Sequence, residues 1–418
     1  LKNLMGLGPT EVGEDYLALA ESFTPEKLVR PDVNLDDISS FTYTGGTTGK
    51  PKGVMQSYRC ASYMTMIQMA EWEFPDELRM LIATPLSHAA AAFFIPVLQN
   101  GGAFYVMQGF SPDGFFDMIE EHKITATMLV PVMLSYLLHH PGASTADLSR
   151  LETIFYGASP ISPARLKEAI EKWGQIFYQF FGQSEAPMVL TNMRKAEHDL
   201  SKPERLASCG RPTSWMTLAL LDDNNEEVAE GDAGEICVRG ETVMAGYWRD
   251  EAASAETLRG GWLHTGDVGE WRNGQLKIVD RLKDIMITAG GKNLSPTEIE
   301  NTIKASPYIK ECIVIGEARK YVSALIQIDF DTVAKWAEQE RIAYTTFRSL
   351  TEQAQVNELI QAEVSRGNDQ LPQVAQIKRF HLLTKELDHD DDEVTATMKV
   401  RRSNIYEKYT DVIESLYV

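Results

Sequence analysis

The sequence has few cysteines and no long apolar run. Its four cysteines are far apart and form no C-x-x-C pair: Cys60, Cys209, Cys237 and Cys312. This spacing argues against a disulfide framework and against a zinc site, and it is typical of a reducing compartment. We therefore predict a cytoplasmic protein. No apolar run approaches the roughly 20 residues that a membrane-spanning helix requires, so we also predict no membrane span.

Positive charge is scarce as well. Forty lysines and arginines face sixty aspartates and glutamates, which gives a formal charge of −20. A surface of this sign repels a polyanion, so we predict no nucleic-acid partner. A small anionic nucleotide remains a candidate ligand, because it needs only local backbone amides, a lysine and a metal ion. Peripheral contact with a membrane and formation of an oligomer are left open.

Short apolar runs alternate with helical patterns from Phe41 to about Phe181. The apolar runs predict strands, and they read MLIAT, AFYVM, ITATMLV, LETIFYG and QIFYQFF. Two of the helices between them begin with a serine followed by proline, at Ser111 and Ser162, which is a favoured helix start. Strands that alternate with helices predict a mostly parallel sheet. Ligands of such sheets bind at the carboxyl ends of the strands.

The pattern changes twice further along the chain. From about Leu206 to Asp280 strand and turn signals dominate, with a hairpin tip at Asn273-Gly274. After the segment DRLKD, a capping box from Ser295 to Glu298 opens a helix, and strands and further helices follow. We therefore predict a large α/β domain over residues 1–282, with parallel sheets, helices and a β-rich subdomain. A smaller α+β domain over residues 283–418 would follow a hinge.

The segment TYTGGTTGKPKG, residues 42–53, is rich in glycine, hydroxyl groups and lysine. A glycine-rich turn after a strand exposes backbone N–H groups, and the threonine hydroxyls and Lys52 add donors around a phosphate chain. The segment differs from the common nucleotide loop, in which a lysine is followed by a hydroxyl residue. Here Lys50 is followed by Pro51.

This segment resembles the pyrophosphate-binding loop of the adenylate-forming superfamily, which includes acyl-CoA synthetases, luciferases and the adenylation domains of peptide synthetases. That family usually has [ST]-S-G-[ST]-T-G-x-P-K-G, so Gly45 departs from it by removing one hydroxyl. The resemblance implies that the following residues bind ATP: Thr44, Gly45, Gly46, Thr47, Thr48, Gly49 and Lys52.

Further motifs of the same family follow in the same order. PLSHAAAAF places His88 where the family has a histidine between the acyl and nucleotide pockets, although a lone histidine is more often a core residue. FYGASPIS and YQFFGQSEAP resemble the segments around the adenine, the acyl group and the phosphates. The resemblance makes these residues nucleotide ligands: Gly157, Ala158, Ser159, Gln179, Phe181, Gly182, Gln183 and Ser184. Glu185, with Ser184, would hold magnesium, since a carboxylate is a hard oxygen ligand.

The remaining motifs lie around the predicted hinge and near the end of the chain. GGWLHTGDVGEW predicts a tight turn that ends at Asp267, whose carboxylate accepts hydrogen bonds from both ribose hydroxyls. By the resemblance, Arg281 also reaches the ribose, Lys283 is the hinge residue, and Gly290 and Gly291 lie beside coenzyme A. TATMKVRR places Lys399 at the terminal lysine of the family, in a form like that of long-chain acyl-CoA synthetases.

Together the motifs imply a ligase of the acyl-CoA synthetase branch, similar to long-chain fatty-acid–CoA ligases. It would use ATP, Mg²⁺ and coenzyme A to activate a carboxylic acid, with Lys399, Lys52, His88 and Glu185 as catalytic residues. An enzyme that stops at the acyl adenylate, or that loads a carrier-protein thiol, is the alternative. A P-loop hydrolase and a silent adenylate-binding protein are less favoured. Because only 41 residues precede Thr42, the resemblance also implies that the N-terminal part of the large domain is missing.

Overall fold

The computed structural model describes residues 5–6, 14–24, 29, 31–44, 51–388, 390–394 and 400–418. The chain forms two compact units, Leu1–Asp37 and Ile38–Val418. The described strands, in chain order, are β1 (Met5–Gly6), β2 (Glu14–Asp15), β3 (Ile38–Tyr43), β4 (Gly53–Ser57), β5 (Arg79–Ile82), β6 (Ala103–Val106), β7 (Ala126–Leu129), β8 (Thr153–Tyr156), β9 (Phe177–Gln183), β10 (Ala186–Met193), β11 (Arg211–Pro212), β12 (Met216–Leu221), β13 (Ala233–Gly240), β14 (Gly246–Tyr247), β15 (Leu263–Arg272), β16 (Gln275–Arg281), β17 (Met286–Ile287), β18 (Asn293–Leu294), β19 (Ile309–Ile315), β20 (Val322–Ile328) and β21 (Ile377–Leu382).

The described α-helices are α1 (Tyr16–Ser22), α2 (Tyr58–Glu71), α3 (Phe94–Gln99), α4 (Pro112–His122), α5 (Pro131–His139), α6 (Gly142–Thr145), α7 (Pro163–Trp173), α8 (Glu251–Thr257), α9 (Pro296–Ile303), α10 (Phe330–Gln339), α11 (Phe347–Thr351), α12 (Ala354–Asn368), α13 (Arg402–Lys408) and α14 (Thr410–Ser415). Short 3₁₀ segments lie at Ala89–Phe93, Lys195–Glu197, Pro203–Ala207, Arg259–Gly261, Leu282–Asp284 and Gln373–Ala375.

The first unit contains a short parallel pair, β1 with β2, followed by α1. Asp15 caps this helix, because its Oδ1 accepts hydrogen bonds from the backbone N–H groups of Leu17 and Ala18 at 2.9 and 3.3 Å. A carboxylate at this position satisfies two helix donors that otherwise lack an intrahelical partner.

A seven-stranded sheet dominates the described part of the second unit, in the order β11-β10-β9-β8-β7-β5-β6. The strands β6, β5, β7, β8 and β9 are parallel, whereas β10 and β11 are antiparallel additions at one edge. The chain passes from β5 to β6 on one side and then to β7 on the other side. The strand order therefore reverses at β5, and a crevice forms at the carboxyl ends of strands at such a point.

The predicted helix starts are confirmed. The hydroxyl of Ser111 accepts a hydrogen bond from the N–H of Gly114 at the start of α4, and Ser162 does the same for Arg165 in α7, both at 3.2 Å. Each helix has proline in its first turn, where the missing N–H costs nothing. Both helices bury apolar residues in the cluster that packs against the parallel sheet. The α/β prediction is therefore confirmed by these elements.

Two antiparallel sheets form the β-rich region. One has the order β12-β13-β15-β16 and the other β14-β4-β3. The hairpin between β15 and β16 turns at Asn273 and Gly274, both with positive φ (54° and 71°), as predicted. Strand β4 begins at the last residue of the glycine-rich segment, and Gln56 on this strand contacts Ser184, which follows β9 of the parallel sheet.

The last part of the chain is an α+β arrangement. In it β19, β20 and β21 form a sheet, with β19 antiparallel and β21 parallel to β20. Helices α9, α10 and α12 cover this sheet, and their apolar residues pack in a core separate from that of the parallel sheet. The hydroxyl of Ser295 accepts the N–H of Glu298 at 3.1 Å at the start of α9. The boundary at residues 282 and 283 stays a prediction. Among the described helices, none is long and apolar enough to cross a bilayer.

Candidate active site

The predicted site residues follow the carboxyl ends of three parallel strands. His88 comes six residues after the end of β5, Gly157 follows β8 directly, and Ser184 and Glu185 follow β9 directly. The carboxyl ends of parallel strands meet at one edge of a sheet, so the topology brings these segments to the same crevice. His88 is exposed there, with its Nδ1 3.1 Å from the hydroxyl of Ser87.

The loop after β8 requires glycine at its first position. A Cβ on Gly157 would lie 2.4 Å from the carbonyl oxygen of Phe180 and 2.9 Å from its ring. The next residue, Ala158, has a φ of 67°, a value that residues other than glycine rarely adopt. Ala158 and Ser159 are exposed. The loop therefore packs closely against β9 and exposes Ala158 and Ser159 at the carboxyl edge of the sheet. Backbone conformations of this unusual kind often occur at binding sites.

The glycine-rich segment is closed at its base by Thr44 and Lys52. The N–H of Thr44 donates to the carbonyl oxygen of Lys52 at 3.0 Å, and the N–H of Lys52 donates to the hydroxyl of Thr44 at 3.2 Å. The predicted phosphate ligands between them lie outside the described residues: Gly45, Gly46, Thr47, Thr48 and Gly49. The structure therefore fixes where the loop starts and ends.

Lys52, Tyr247 and Glu185 form a contact chain beside this loop. The ammonium of Lys52 lies 4.5 Å from the centre of the Tyr247 ring. The hydroxyl of Tyr247 donates to Glu185 Oε1 at 2.7 Å. Burial, followed by the nearby charge of Glu185, raises the pKa of Tyr247, so the phenol stays a donor. The predicted phosphate ligand and the predicted metal ligand are thereby connected through one side chain.

Two backbone contacts fix Ser184 and Glu185. The carboxamide of Gln56, on β4, donates to the carbonyl oxygen of Ser184 at 2.9 Å. The N–H of Met244 donates to the carbonyl oxygen of Glu185 at 2.8 Å. Both residues are therefore held by their backbones at the carboxyl end of β9.

The T-G-D segment is a bulge inside a strand, and the predicted tight turn is wrong. Strand β15 runs without interruption from Leu263 to Arg272, but its pairing with β13 shifts, so that Thr265, Gly266 and Asp267 lie opposite the single residue Ile236. Gly266 has a φ of 68°, in the left-handed region that glycine adopts at such bulges. The bulge directs Asp267 away from the regular pleat of the strand.

Asp267, Gln183 and Arg281 form the second cluster at this edge. The carboxylate of Asp267 accepts from Gln183 Nε2 at 2.5 Å through Oδ2, and Arg281 Nε lies 2.6 Å from Oδ1. Asp267 is only 5% exposed, whereas the side chain of Arg281 is 43% exposed. A cleft of about 420 Å³ opens beside them, lined by Gly266, Arg281, Leu282 and Lys283. One predicted ribose ligand, Arg281, and the predicted hinge residue, Lys283, therefore line the same cleft.

A buried network supports Gln179. Burial lowers the pKa of His198 to about 4, so its ring is neutral. Its Nδ1 donates to the carbonyl oxygen of Arg194 at 2.9 Å, which leaves Nε2 to accept the hydroxyl of Tyr156, also at 2.9 Å. The same hydroxyl lies 3.2 Å from the carboxamide of Gln179. The hydroxyl has one proton, which it shares between His198 Nε2 and Gln179 Oε1, and this shared contact positions the Gln179 side chain on β9.

The other predicted residues have separate surroundings. Phe181 is half-buried and packs against the main apolar core, which gives it no polar role, and Gly182 lies near the end of β9. Gly290 and Gly291 form an exposed turn in which the N–H of Gly291 donates to the carbonyl oxygen of Thr288 at 2.8 Å. Lys399 lies outside the described residues.

Sequence reasoning missed Tyr247 and Gln56. Gln56 lies on β4 and contacts Ser184 directly, whereas Tyr247 lies on β14, whose pairing with β4 brings it beside Glu185. No spacing in the sequence connects residue 247 with residue 185. Predicting these two residues would require knowledge of how the strands pair and pack in the folded protein.

Residues 8–248 match the family model described as AMP-binding enzyme, and residues 283–418 match that of the AMP-binding enzyme C-terminal domain. The chain belongs to the AMP-binding enzyme family. It is similar to the medium/long-chain fatty-acid–CoA ligase FadD8 of Mycobacterium tuberculosis, with 47% identity over 322 residues that cover 76% of this chain and 56% of the relative. It is also similar to a feruloyl-CoA synthase of Amycolatopsis, with 36% identity over 287 residues that cover 68% of this chain and 57% of that relative. The chain thus spans little more than half the length of these relatives.

Among solved structures, this AMP-binding enzyme resembles the amide bond synthetase McbA from Marinactinospora thermotolerans. The TM-score is 0.79 at 27% identity, and the likeness covers 98% of this chain and 76% of the other. The predicted fold class is therefore confirmed: a large α/β domain with mixed sheets and a smaller C-terminal α+β domain.

Proposed function

We propose that the chain carries the catalytic machinery of an acyl-CoA ligase that forms AMP. The observation that carries this proposal is the arrangement at the end of β9. There Glu185 belongs to the contact chain with Tyr247 and Lys52, and Gln183 belongs to the cluster with Asp267 and Arg281. The first set suits phosphates with a metal ion, and the second suits a ribose diol. A nucleotide that spans both sets places its α-phosphate between them.

The first reaction joins a carboxylate to the nucleotide. A carboxylate oxygen attacks the α-phosphorus of ATP, the bond from that phosphorus to the bridging oxygen breaks, and pyrophosphate leaves. Lys52 and the threonines of the loop stabilise the departing pyrophosphate, while Asp267 and Arg281 hold the ribose. The loop Gly157–Ser159 and Gln179 border the adenine. Lys399 neutralises the charge that develops at the α-phosphate. These roles are positional and electrostatic, as in other phosphoryl chemistry.

The residues at the end of β9 fit a magnesium ion. Glu185 offers a carboxylate whose Oε1 already has a partner in Tyr247, and the neighbouring Ser184 offers a hydroxyl, so the donor set is the hard oxygen type that Mg²⁺ prefers. The ion supplies charge neutralisation to the phosphates when it is bound. Tyr247 orients Glu185 for this purpose.

The second reaction consumes the acyl adenylate. The sulfur of the coenzyme A thiol attacks the acyl carbonyl carbon, the bond to the phosphate oxygen breaks, AMP leaves and the thiol proton passes to solvent. We assign His88 to the junction of the acyl and nucleotide pockets, and Gly290 and Gly291 to the coenzyme A side. The domain of residues 283–418 rotates about Lys283 between the two reactions, which is a recurring way to assemble two sites in turn.

The proposed acyl group is a fatty or other hydrophobic acid, and the proposed location is the cytoplasm. The names of the two relatives described above indicate acids with large apolar parts, a fatty acid and ferulate. A second candidate is an enzyme that stops at the acyl adenylate or passes it to a carrier-protein thiol, and the likeness to a fatty acid–[acyl-carrier-protein] ligase, with 32% identity over 323 residues, supports it. The first reaction is shared by the two candidates.

Pyrophosphate release from Mg²⁺-ATP, with a panel of acids from acetate to palmitate and aromatic acids, tests the proposal. Release that depends on the acid and turns over only with coenzyme A supports the ligase. A single burst that is indifferent to coenzyme A supports the second candidate. Release that does not depend on any acid contradicts both.

A further inference from the structure

We propose that Glu235 is a positioning residue that holds the Thr265–Asp267 bulge, and through it the Asp267 carboxylate, in the geometry that binds the ribose hydroxyls. This inference rests on the proposed nucleotide role of Asp267. Glu235 lies on β13, next to Ile236, the residue opposite the bulge. None of the motifs in the sequence includes it.

The carboxylate of Glu235 replaces the pairing that the bulge loses. Its Oε1 accepts the N–H of Gly266 at 2.9 Å, and its Oε2 accepts His264 Nδ1–H at 2.7 Å. The guanidinium of Arg259 lies 3.3 Å from the same Oε2. The Glu235 side chain is only 12% exposed, and an unpaired backbone N–H in such a place is costly. Glu235 therefore holds the bulge through Gly266 and through His264, the residue that precedes the bulge.

The bulge transmits this constraint to Asp267 through Thr265. The hydroxyl of Thr265 donates to the carbonyl oxygen of Ile236 at 2.7 Å and accepts the N–H of Asp267 at 3.1 Å. Gly266, which Glu235 holds, is the residue between them. Without Glu235, the N–H of Gly266 loses its only described side-chain acceptor. The left-handed conformation of Gly266 is then less well held, and the direction of the Asp267 side chain is no longer fixed.

A metal site is the alternative explanation of this cluster. Glu235, Cys237 and His264 have potential ligand atoms within 4.8 Å of one another. However, both oxygens of Glu235 already accept hydrogen bonds, and a guanidinium lies beside one of them. Burial raises the pKa of the Cys237 thiol to about 12, so the thiolate that binds metals is disfavoured. These observations favour a hydrogen-bonded support over a metal ligand set.

The test compares the binding of AMP with that of 2′,3′-dideoxy-AMP by titration calorimetry on the full chain. The ratio of the two dissociation constants reports the ribose contact alone, since a general loss of folding weakens both ligands together. Hydrogen bonds to a charged group predict a ratio of about tenfold or more in the unsubstituted protein. Asp267→Asn sets the reference for loss of the contact.

Glu235→Ala is expected to bring the ratio close to that of Asp267→Asn, whereas Glu227→Ala, an exposed glutamate before the same strand, retains the full ratio. His264→Asn keeps a donor near the position of Nδ1 and is expected to retain more of the ratio than His264→Leu. An unchanged ratio in Glu235→Ala overturns the inference. A ratio that falls on EDTA treatment and returns with Zn²⁺ also overturns it, in favour of a metal site. Absence of AMP binding by the unsubstituted protein contradicts the proposed function instead.

Discussion

A buried ion pair between Glu300 and Arg402 joins the start of the C-terminal domain to its end. The two guanidinium nitrogens of Arg402 each lie 2.6 Å from an oxygen of Glu300, and Glu300 Oε1 also accepts the N–H of Val314 at 2.8 Å. Glu300 is 6% exposed. In the sequence, Arg402 lies three residues after Lys399, the proposed catalytic lysine. We predict that Arg402→Met destabilises this domain strongly.

The expected loss in free energy of unfolding is about 3–5 kcal/mol, the usual result when one partner of a buried pair is removed. Most of this loss comes from the carboxylate that stays buried without its cation. The double variant Glu300→Leu with Arg402→Met removes both charges, so it is expected to recover the part of the loss that comes from the unpaired carboxylate. A loss of about 1–3 kcal/mol is expected to remain, because the N–H of Val314 no longer has its acceptor. Arg401→Met, which removes an exposed pair with Asp392, is the matched control, with an expected loss below about 1 kcal/mol.

The loss is expected to depend on pH. Burial raises the pKa of Glu300 in the folded protein, although Arg402 opposes this effect. Removal of Arg402 raises the pKa further. Because the folded carboxyl then binds a proton that the unfolded one has released, stability falls as pH rises from the ordinary glutamate pKa toward the folded one. Arg402→Met is therefore less destabilised at pH 5 than at pH 7.5.

Hydrogen exchange of peptides from α9 and β19, measured by mass spectrometry at both pH values, gives the free energy of opening of this region. After correction for the intrinsic exchange rate, the variant is expected to lose protection mainly at the higher pH. A loss in Arg402→Met no larger than that in Arg401→Met would refute the reasoning. So would a double variant as unstable as Arg402→Met.

Three further predictions concern the large domain. Tyr247→Phe removes the donor to Glu185 and keeps the ring, so the KM for Mg²⁺-ATP in pyrophosphate release is expected to rise about tenfold; an unchanged KM would exclude a role for the hydroxyl. Gly157→Ala creates a clash with Phe180 and is expected to lower the free energy of unfolding in urea by about 1–3 kcal/mol. Gly109→Ala, where a Cβ has no neighbour within 4 Å, is the control and is expected to be tolerated. Equal losses in the two variants would contradict the close approach of Gly157 to Phe180. The depressed pKa of His198 makes stability fall as pH drops from 6.5 to about 4. His198→Gln is expected to flatten that stretch of the urea-midpoint profile against pH, and an unchanged slope would assign it to other groups.

Much of the fold is predictable from local patterns. The strands β5 to β9 are short apolar runs bounded by turn residues, and two of the helices between them, α4 and α7, have their own start signals. The positions of His88, Gly157 and Glu185 at the carboxyl edge follow from the parallel order of these strands. Local sequence is sufficient here because each element is set by neighbouring residues.

The rest depends on pairing between distant segments. Tyr247 reaches Glu185 through the pairing of β14 with β4, and Glu235 supports Gly266 through the pairing of β13 with β15. The T-G-D segment has the composition of a turn, but the flanking residues pair with β13 and turn it into a bulge. Register between strands is decided by burial and by long-range contacts, which a single segment does not contain.

The most direct test of the central claim follows the oxygen atoms of the acid. The chain is incubated with ATP, Mg²⁺, coenzyme A and a fatty acid labelled with ¹⁸O in both carboxylate oxygens, and the AMP is examined by mass spectrometry. Adenylation predicts AMP that carries one ¹⁸O atom, because the carboxylate oxygen that attacks the α-phosphorus stays with the phosphate when the thiol takes the acyl group. AMP without the label, or ADP as the product, would contradict the account.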